Sequence, residues 1–166
     1  MSRIPIFMNP CQIVTFEPRY SADFARLNYA WIERLFGVEQ PDRDILDHPE
    51  SSVIEPGGQI FFAMYDGQTV GTAALRREDE WTFELCKMAV DDRYQGRGYA
   101  RQLLEAALTW ARGRQARQVE LYSHSSLTKA LALYRSAGFE KVSSACDVNG
   151  LCGGYARCDV YMRKQV

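Results

Sequence analysis

The chain has 166 residues, 46% of them hydrophobic and 25% charged, which suits one folded domain with a real apolar core and excludes a disordered chain. A formal net charge of -1 offers no general field to nucleic acid or to an anionic membrane, so any anion site has to be local. Apolar runs are short and broken by charges, which excludes a membrane span. Residues 1–10 lack the apolar stretch of a signal peptide, so a cytoplasmic protein is expected.

Taken along the chain, residues 11–17 alternate enough for a strand. Ser21 then offers an N-cap, and Phe24, Leu27, Trp31 and Leu35 follow at helical spacing as far as Gly37. Residues 41–56 are polar, with a short helix expected around 44–47 and a turn at Pro56-Gly57-Gly58. Residues 60–65, the turn Asp66-Gly67 and residues 69–75 read as a hairpin, and residues 81–90 add a third strand. The clearest helix is 97–114, where Ala100, Leu103, Leu104, Ala107, Leu108 and Ala111 form one apolar stripe. A strand at 118–123 and a helix at 126–137 closed by Gly138 follow, and strands at 139–143 and 156–162 complete the pattern. No repeat or linker interrupts this order, which predicts one α/β domain over residues 1–166 with a mixed sheet.

The five cysteines, Cys11, Cys86, Cys146, Cys152 and Cys158, are odd in number and scattered, unlike a disulfide framework. The last three recur at every sixth residue, but this is not the short hook of a zinc site, and no metal is expected.

The most informative segment is Val90-Asp91-Asp92-Arg93-Tyr94-Gln95-Gly96-Arg97-Gly98-Tyr99-Ala100, between a strand and a long helix. Backbone N–H groups at the positive end of a helix suit phosphate, and Gly96 and Gly98 allow close approach. Arg93, Arg97 and Arg101 add positive charge. A Rossmann fingerprint is excluded because Arg101 replaces its third glycine, and no Gly-Lys-Ser/Thr triplet supports a P-loop.

Arg93-x-x-Gly96-x-Gly98 after Met88-Ala89-Val90 resembles the acyl-CoA pyrophosphate motif of the GNAT acyltransferases. Ala130-Leu131-Ala132-Leu133-Tyr134-Arg135-Ser136-Ala137-Gly138-Phe139 resembles that family's Leu-Tyr…Gly-Phe helix and strand start. The resemblance is sharpest from about residue 83 to 142. It implies a GNAT fold: a central sheet of about six to seven strands, splayed between its two middle strands and flanked by about four helices. It further implies an acetyl-CoA-dependent N-acetyltransferase in which the amine attacks the thioester directly. Met88, Ala89 and Val90 would pair with the pantetheine arm. The backbone of Gln95, Gly96, Arg97, Gly98, Tyr99 and Ala100 would hold the pyrophosphate, with Arg93 and Arg101 beside it.

Tyr134 is the expected general acid and cofactor contact, although an aromatic at that helical spacing also suits a core. Glu84 is the expected base. It is placed on a strand face with Thr82, Cys86 and Met88, where lost hydration would raise its pKa; pairing with Lys87 or an arginine is the other reading. His124 and Cys86 are weaker candidates for acid–base and acyl-cysteine chemistry. The position where the family often has Asn near the Tyr-bearing helix is Leu127, and Ser125 or Ser126 are the candidates to replace it. An acceptor pocket is expected from Asn28, Trp31, Glu33 and the polar segment to His48, facing residues 147–157. There Arg157 suits a carboxylate, and Asp147, Glu33 or Asp159 an ammonium. Tyr155-Ala156-Arg157-Cys158-Asp159-Val160 resembles the tail of small bacterial GNAT proteins. The expected partner is a small-molecule amine, with the protein a monomer or homodimer. A protein lysine or N-terminus as acceptor, and a non-catalytic acyl-CoA-binding module, are the alternatives.

Overall fold

The computed structural model describes residues 10–142 and 150–166. Its centre is a seven-stranded sheet in the order β1-β2-β3-β4-β5-β7-β6, with β1 Gln12–Thr15, β2 Gln59–Tyr65, β3 Gln68–Arg77, β4 Thr82–Val90, β5 Gln118–Ser123, β6 Glu140–Lys141 and β7 Val160–Gln165. Only the β4–β5 pair is parallel; the other neighbours are antiparallel. The β2–β3 hairpin turns through Asp66 and Gly67, both at positive φ (49° and 73°), the backbone that a two-residue turn between twisted strands requires.

Four α-helices cover the sheet: α1 Ser21–Leu35, α2 Gln40–Leu46, α3 Tyr99–Gly113 and α4 Thr128–Ser136. One core joins Leu103, Leu104, Ala107 and Leu108 of α3 and Leu131 and Tyr134 of α4 to Phe61, Phe83, Leu85 and Val119. The other face packs Phe24, Ile32, Ile45 and Leu46 onto Ile60, Phe62 and Ala74. No helix among the described residues is long and apolar enough to cross a membrane.

Several expected boundaries shift for local reasons. Ser21 is the first residue of α1 rather than its cap, because a 3-10 turn at Pro18–Tyr20 leads in and Tyr20 caps without a side-chain bond. Leu35, placed on the apolar stripe by spacing, is 52% exposed, and Ile32 takes the buried position. The expected short helix begins earlier, at Gln40, because Glu39 and Asp42 form a reciprocal capping box, and a π-helical turn at Glu50–Ile54 follows it. Helix α3 starts two residues later than expected because Gly98 is left-handed, with φ of 83°. Helix α4 starts late because Ser125 bonds Asp159 and Ser126 bonds His124. Gly138, at φ 94°, closes it as expected. The last strand begins at Val160 instead of 156, since the N–H groups of Ala156 and Arg157 bond the Glu39 carboxylate. Ser143, Cys146, Asp147 and Asn149, which figured in the expected last strands, loop and pocket, lie outside the described residues.

Candidate active site

β4 and β5 pair only from Thr82↔Gln118 to Leu85↔Leu121. β4 then runs on to Val90 and β5 to Ser123 without pairing, and the gap between them opens a cleft of about 680 Å³. Near the point of divergence β4 carries a bulge: Lys87 and Met88 stand together opposite Ala73, between the pairs Thr72↔Ala89 and Ala74↔Cys86. Lys87 there has φ of 50°, an uncommon backbone for a residue with a side chain. The bulge reverses the alternation, and this corrects the expected strand face. Cys86 packs toward the core under α1, whereas Met88 packs toward the core under α3. Glu84 therefore shares its face with Cys86 but not with Met88.

Beyond β4 the chain makes a tight anionic corner. Asp91 accepts from the Arg93 backbone N–H at 3.0 Å and its carboxylate takes the Arg93 guanidinium at 3.1 and 3.0 Å. Arg93 is thus tied to its own loop. Arg97 stacks on Tyr94 (5.0 Å to the ring centre), and Arg101 donates to Ser136 Oγ at 2.9 Å. The first intrahelical bond of α3 joins Gln102 N–H to the Gly98 carbonyl, so the N–H groups of Tyr99, Ala100 and Arg101 have no acceptor within the helix. A Cβ built on Gly96 or Gly98 would meet nothing within 4 Å. Both lie at positive φ, and the space in front of this loop is open. Open backbone donors and an unpaired β4 edge suit the pyrophosphate and amide arm of an acyl-CoA. The Val90 carbonyl on that edge takes the Gln95 side-chain amide at 3.2 Å.

Of the residues singled out in the sequence, the structure brings Glu84, Met88, Ala89, Val90, Gln95 and Tyr134 together on the cleft lining. The arginines Arg93, Arg97 and Arg101, with Gly96, Gly98, Tyr99 and Ala100, form the loop and helix start beyond it.

Glu84 is 5% exposed and paired across the sheet with Arg76, whose Nη1 lies 3.1 Å from Oε2. The carboxyl is thus both buried, as expected of the strand face, and paired with an arginine. Burial pushes the carboxyl up to about 8, and the Arg76 charge only partly opposes it. Tyr134 likewise serves the core and the cleft. It is 9% exposed, stacks edge-on against Phe139, and directs its hydroxyl to Met88 Sδ at 3.9 Å. Burial raises its phenol to about 12.

His124 lines the cleft, but its Nδ1 accepts from the Ser126 backbone N–H at 3.0 Å, so the lone pair a base needs is already in use. Burial raises the Cys86 thiol far above the range of a nucleophilic thiolate. Ser125 and Ser126, the candidates to replace the missing Asn, are engaged with Asp159 and His124.

The pocket expected to take an acceptor is built differently from expectation. Trp31, Tyr155 and Arg157 line it, but Asn28 is fully buried with its amide on the Phe24 carbonyl, and neither Glu33 nor the segment to His48 lines it. That segment stands behind the wall. Asp42, 0% exposed, accepts from Lys87 Nζ at 2.6 Å and from both terminal nitrogens of Arg157 at 2.7 Å. Burial raises its carboxyl, but the Arg157 and Lys87 bonds and charges outweigh this and hold it at about 2. Lys87 also donates to the Tyr155 hydroxyl at 2.8 Å. Lys87 was missed as a site residue, and Tyr155 was included only within the range 147–157. A second charged residue in a mostly apolar strand, Glu-Leu-Cys-Lys-Met, was the available signal.

The model of the Acetyltransferase (GNAT) family matches residues 24–139 of this chain. N-acetylaspartate synthetase of Rattus norvegicus is 32% identical over 103 residues, which are 61% of this chain and 34% of that protein. The chain thus spans about a third of the length of that relative. N-acetyltransferase YjgM of Escherichia coli K12 is 30% identical over 134 residues, 79% of this chain and 76% of YjgM. Among solved structures, yncA from Salmonella typhimurium with its cofactor acetyl-CoA superposes with a TM-score of 0.73 at 20% identity, covering 95% of this chain and 94% of its own. The splayed middle strands, the open loop before α3 and a family match across both agree: this chain belongs to the GNAT family of acetyltransferases.

Proposed function

We propose that the protein transfers an acetyl group from acetyl-CoA to the primary amine of a small molecule, within a single domain, with Glu84 as base and Tyr134 as acid. The observation that carries this reading is the placement of Glu84 and Tyr134 on the lining of one cleft at the β4–β5 splay. Acetyl-CoA is the co-substrate, and it supplies an acetyl group activated as a thioester. The β4 edge from Met88 to Val90 and the α3 N-terminus with Gln95 to Ala100 are the groups suited to hold it. Glu84, ionised, takes a proton from the incoming ammonium, directly or through water. Its raised pKa makes it a stronger base than an exposed carboxylate. Tyr134 enters the reaction protonated and gives its proton to the departing sulfur as the C–S bond breaks; the proton lost by the attacking nitrogen restores it through solvent. A small acceptor is favoured because Tyr155, Arg157 and Lys87 form one wall of the cleft with Asp42 behind them. The N-acetylaspartate synthetase relative, named for a small acetylated product, points the same way.

Release of free thiol from acetyl-CoA against a panel of amines and peptides tests the reading. Glu84→Gln and Tyr134→Phe are each expected to lower kcat about 100-fold while leaving acetyl-CoA affinity within a few-fold. Full kcat in both variants would refute the assignment.

A further inference from the structure

The acceptor end of the cleft has a polarity that acetyl transfer itself does not require. Lys87, Tyr155 and Arg157 line the cleft, whereas the carboxylates that balance the two cations, Asp42 and Glu39, do not. Asp42 is fully buried behind them, and Glu39 lies 3.4 Å from Arg157 on the far side of the capping box. The cations stand in front and the carboxylates behind. Donors of these lining residues also remain unspent. Lys87 has three N–H groups and spends two, on Asp42 and on the Tyr155 oxygen. Because that oxygen accepts from Lys87, the Tyr155 O–H is turned elsewhere, and it meets no acceptor among the described residues. The Arg157 Nε–H meets none either. Among the described residues, Glu84 is the one carboxylate lining this end; Asp91 and Asp92 lie at the β4 terminus, bonded to Arg93 and Arg34.

We infer that the acceptor is an amine that also carries a carboxylate, whose oxygens take the hydrogens of Arg157, Lys87 and Tyr155 while its amine lies at Glu84. This rests on the acetyltransferase reading above and narrows it. A diamine of similar length would bring a second cation against Lys87 and Arg157, and a neutral amide would offer one acceptor where two are wanted.

The test uses the full chain saturated with acetyl-CoA and compares kcat/KM across three matched sets: aliphatic amino acids of increasing chain length, their carboxamides, and diamines. The expected result is a fall of roughly 10- to 100-fold from the best amino acid to its carboxamide, and no better turnover of the diamine. Arg157→Gln is expected to bring the acid-to-amide ratio within a few-fold without changing acetyl-CoA affinity. Because that variant leaves Asp42 short of a partner, Tyr155→Phe provides a second arm: it keeps both ion pairs and is expected to reduce the ratio about 10-fold. Carboxamides or diamines used as well as the acids, no turnover of any carboxylated amine, or a ratio unchanged in both variants would overturn the inference. Failure of the wild type to bind acetyl-CoA would instead refute the acetyltransferase reading beneath it.

Discussion

Glu84 owes its character chiefly to two opposed effects on one carboxyl, with Glu78 adding to the first and Lys87 to the second. Burial against the sheet disfavours its charge, and the Arg76 guanidinium at 3.1 Å restores part of it, leaving the pKa at about 8 against an ordinary 4.5. The signs for activity and stability are opposite. The base works ionised, so kcat/KM should rise with pH through about 8, and Glu84→Gln should flatten this limb of the profile, leaving only the substrate amine's own titration. The unfolded chain releases this proton near 4.5, so the stability tied to the neutral form is present below 4.5 and is lost as pH rises to 8. Asp42 behaves in the reverse sense. Held at about 2, it contributes stability above 3.8 that is lost as pH falls toward 2. Asp42→Asn would leave Lys87 a buried cation without its carboxylate and Arg157, half-buried, with Glu39 alone. Denaturant unfolding is expected to show a loss of about 3–5 kcal/mol, and a loss below about 1 kcal/mol would show that the cluster is not electrostatically held.

At the scale of elements, the bulge in β4 and the tight turn after residue 150 shape the acceptor wall. The bulge puts Lys87 on the α1 and α2 side, where Asp42 receives it. The turn bridges Cys152 to Tyr155 and lays Gly153 against Tyr122, where an added Cβ would clash with the ring. Gly153→Ala should therefore displace Tyr155, raising KM for the amine several-fold or more while acetyl-CoA affinity stays unchanged; an unchanged KM would show that the turn does not position Tyr155. These features explain what could be read from the sequence. The meander, α3 with its two glycines, and the Tyr134 helix are encoded by local periodicity and turn chemistry, so they were legible. The bulge was not, because the residue at positive φ is Lys87 rather than the glycine that signals such a backbone. Strict alternation then placed Met88 on the wrong face. The Asp42–Lys87–Arg157 cluster joins residues as much as 115 apart in the chain, and nothing local to any of them announces the others. Arg157 could be named as a carboxylate ligand from its chemistry, but not the carboxylate that already holds it.

For the whole molecule, the two cores on opposite faces of the sheet do different work. The α3 and α4 side carries the open loop and Tyr134, and the α1 and α2 side carries the ion cluster behind the acceptor wall, with Glu84 on the strand between them. The divergence of β4 from β5 is where the two sides meet, and it is what makes the cleft. Every role assigned to a side chain depends on an acyl-CoA lying in that divergence, with its pyrophosphate at the α3 N-terminus. The most direct test is a calorimetric titration of the protein with acetyl-CoA and with free CoA, beside Gly96→Glu, whose carboxylate would stand in the open space before the loop. The account predicts saturable binding of both ligands by the wild type and its loss in a variant that remains folded. No binding by the folded wild type, or equal binding by Gly96→Glu, would contradict it.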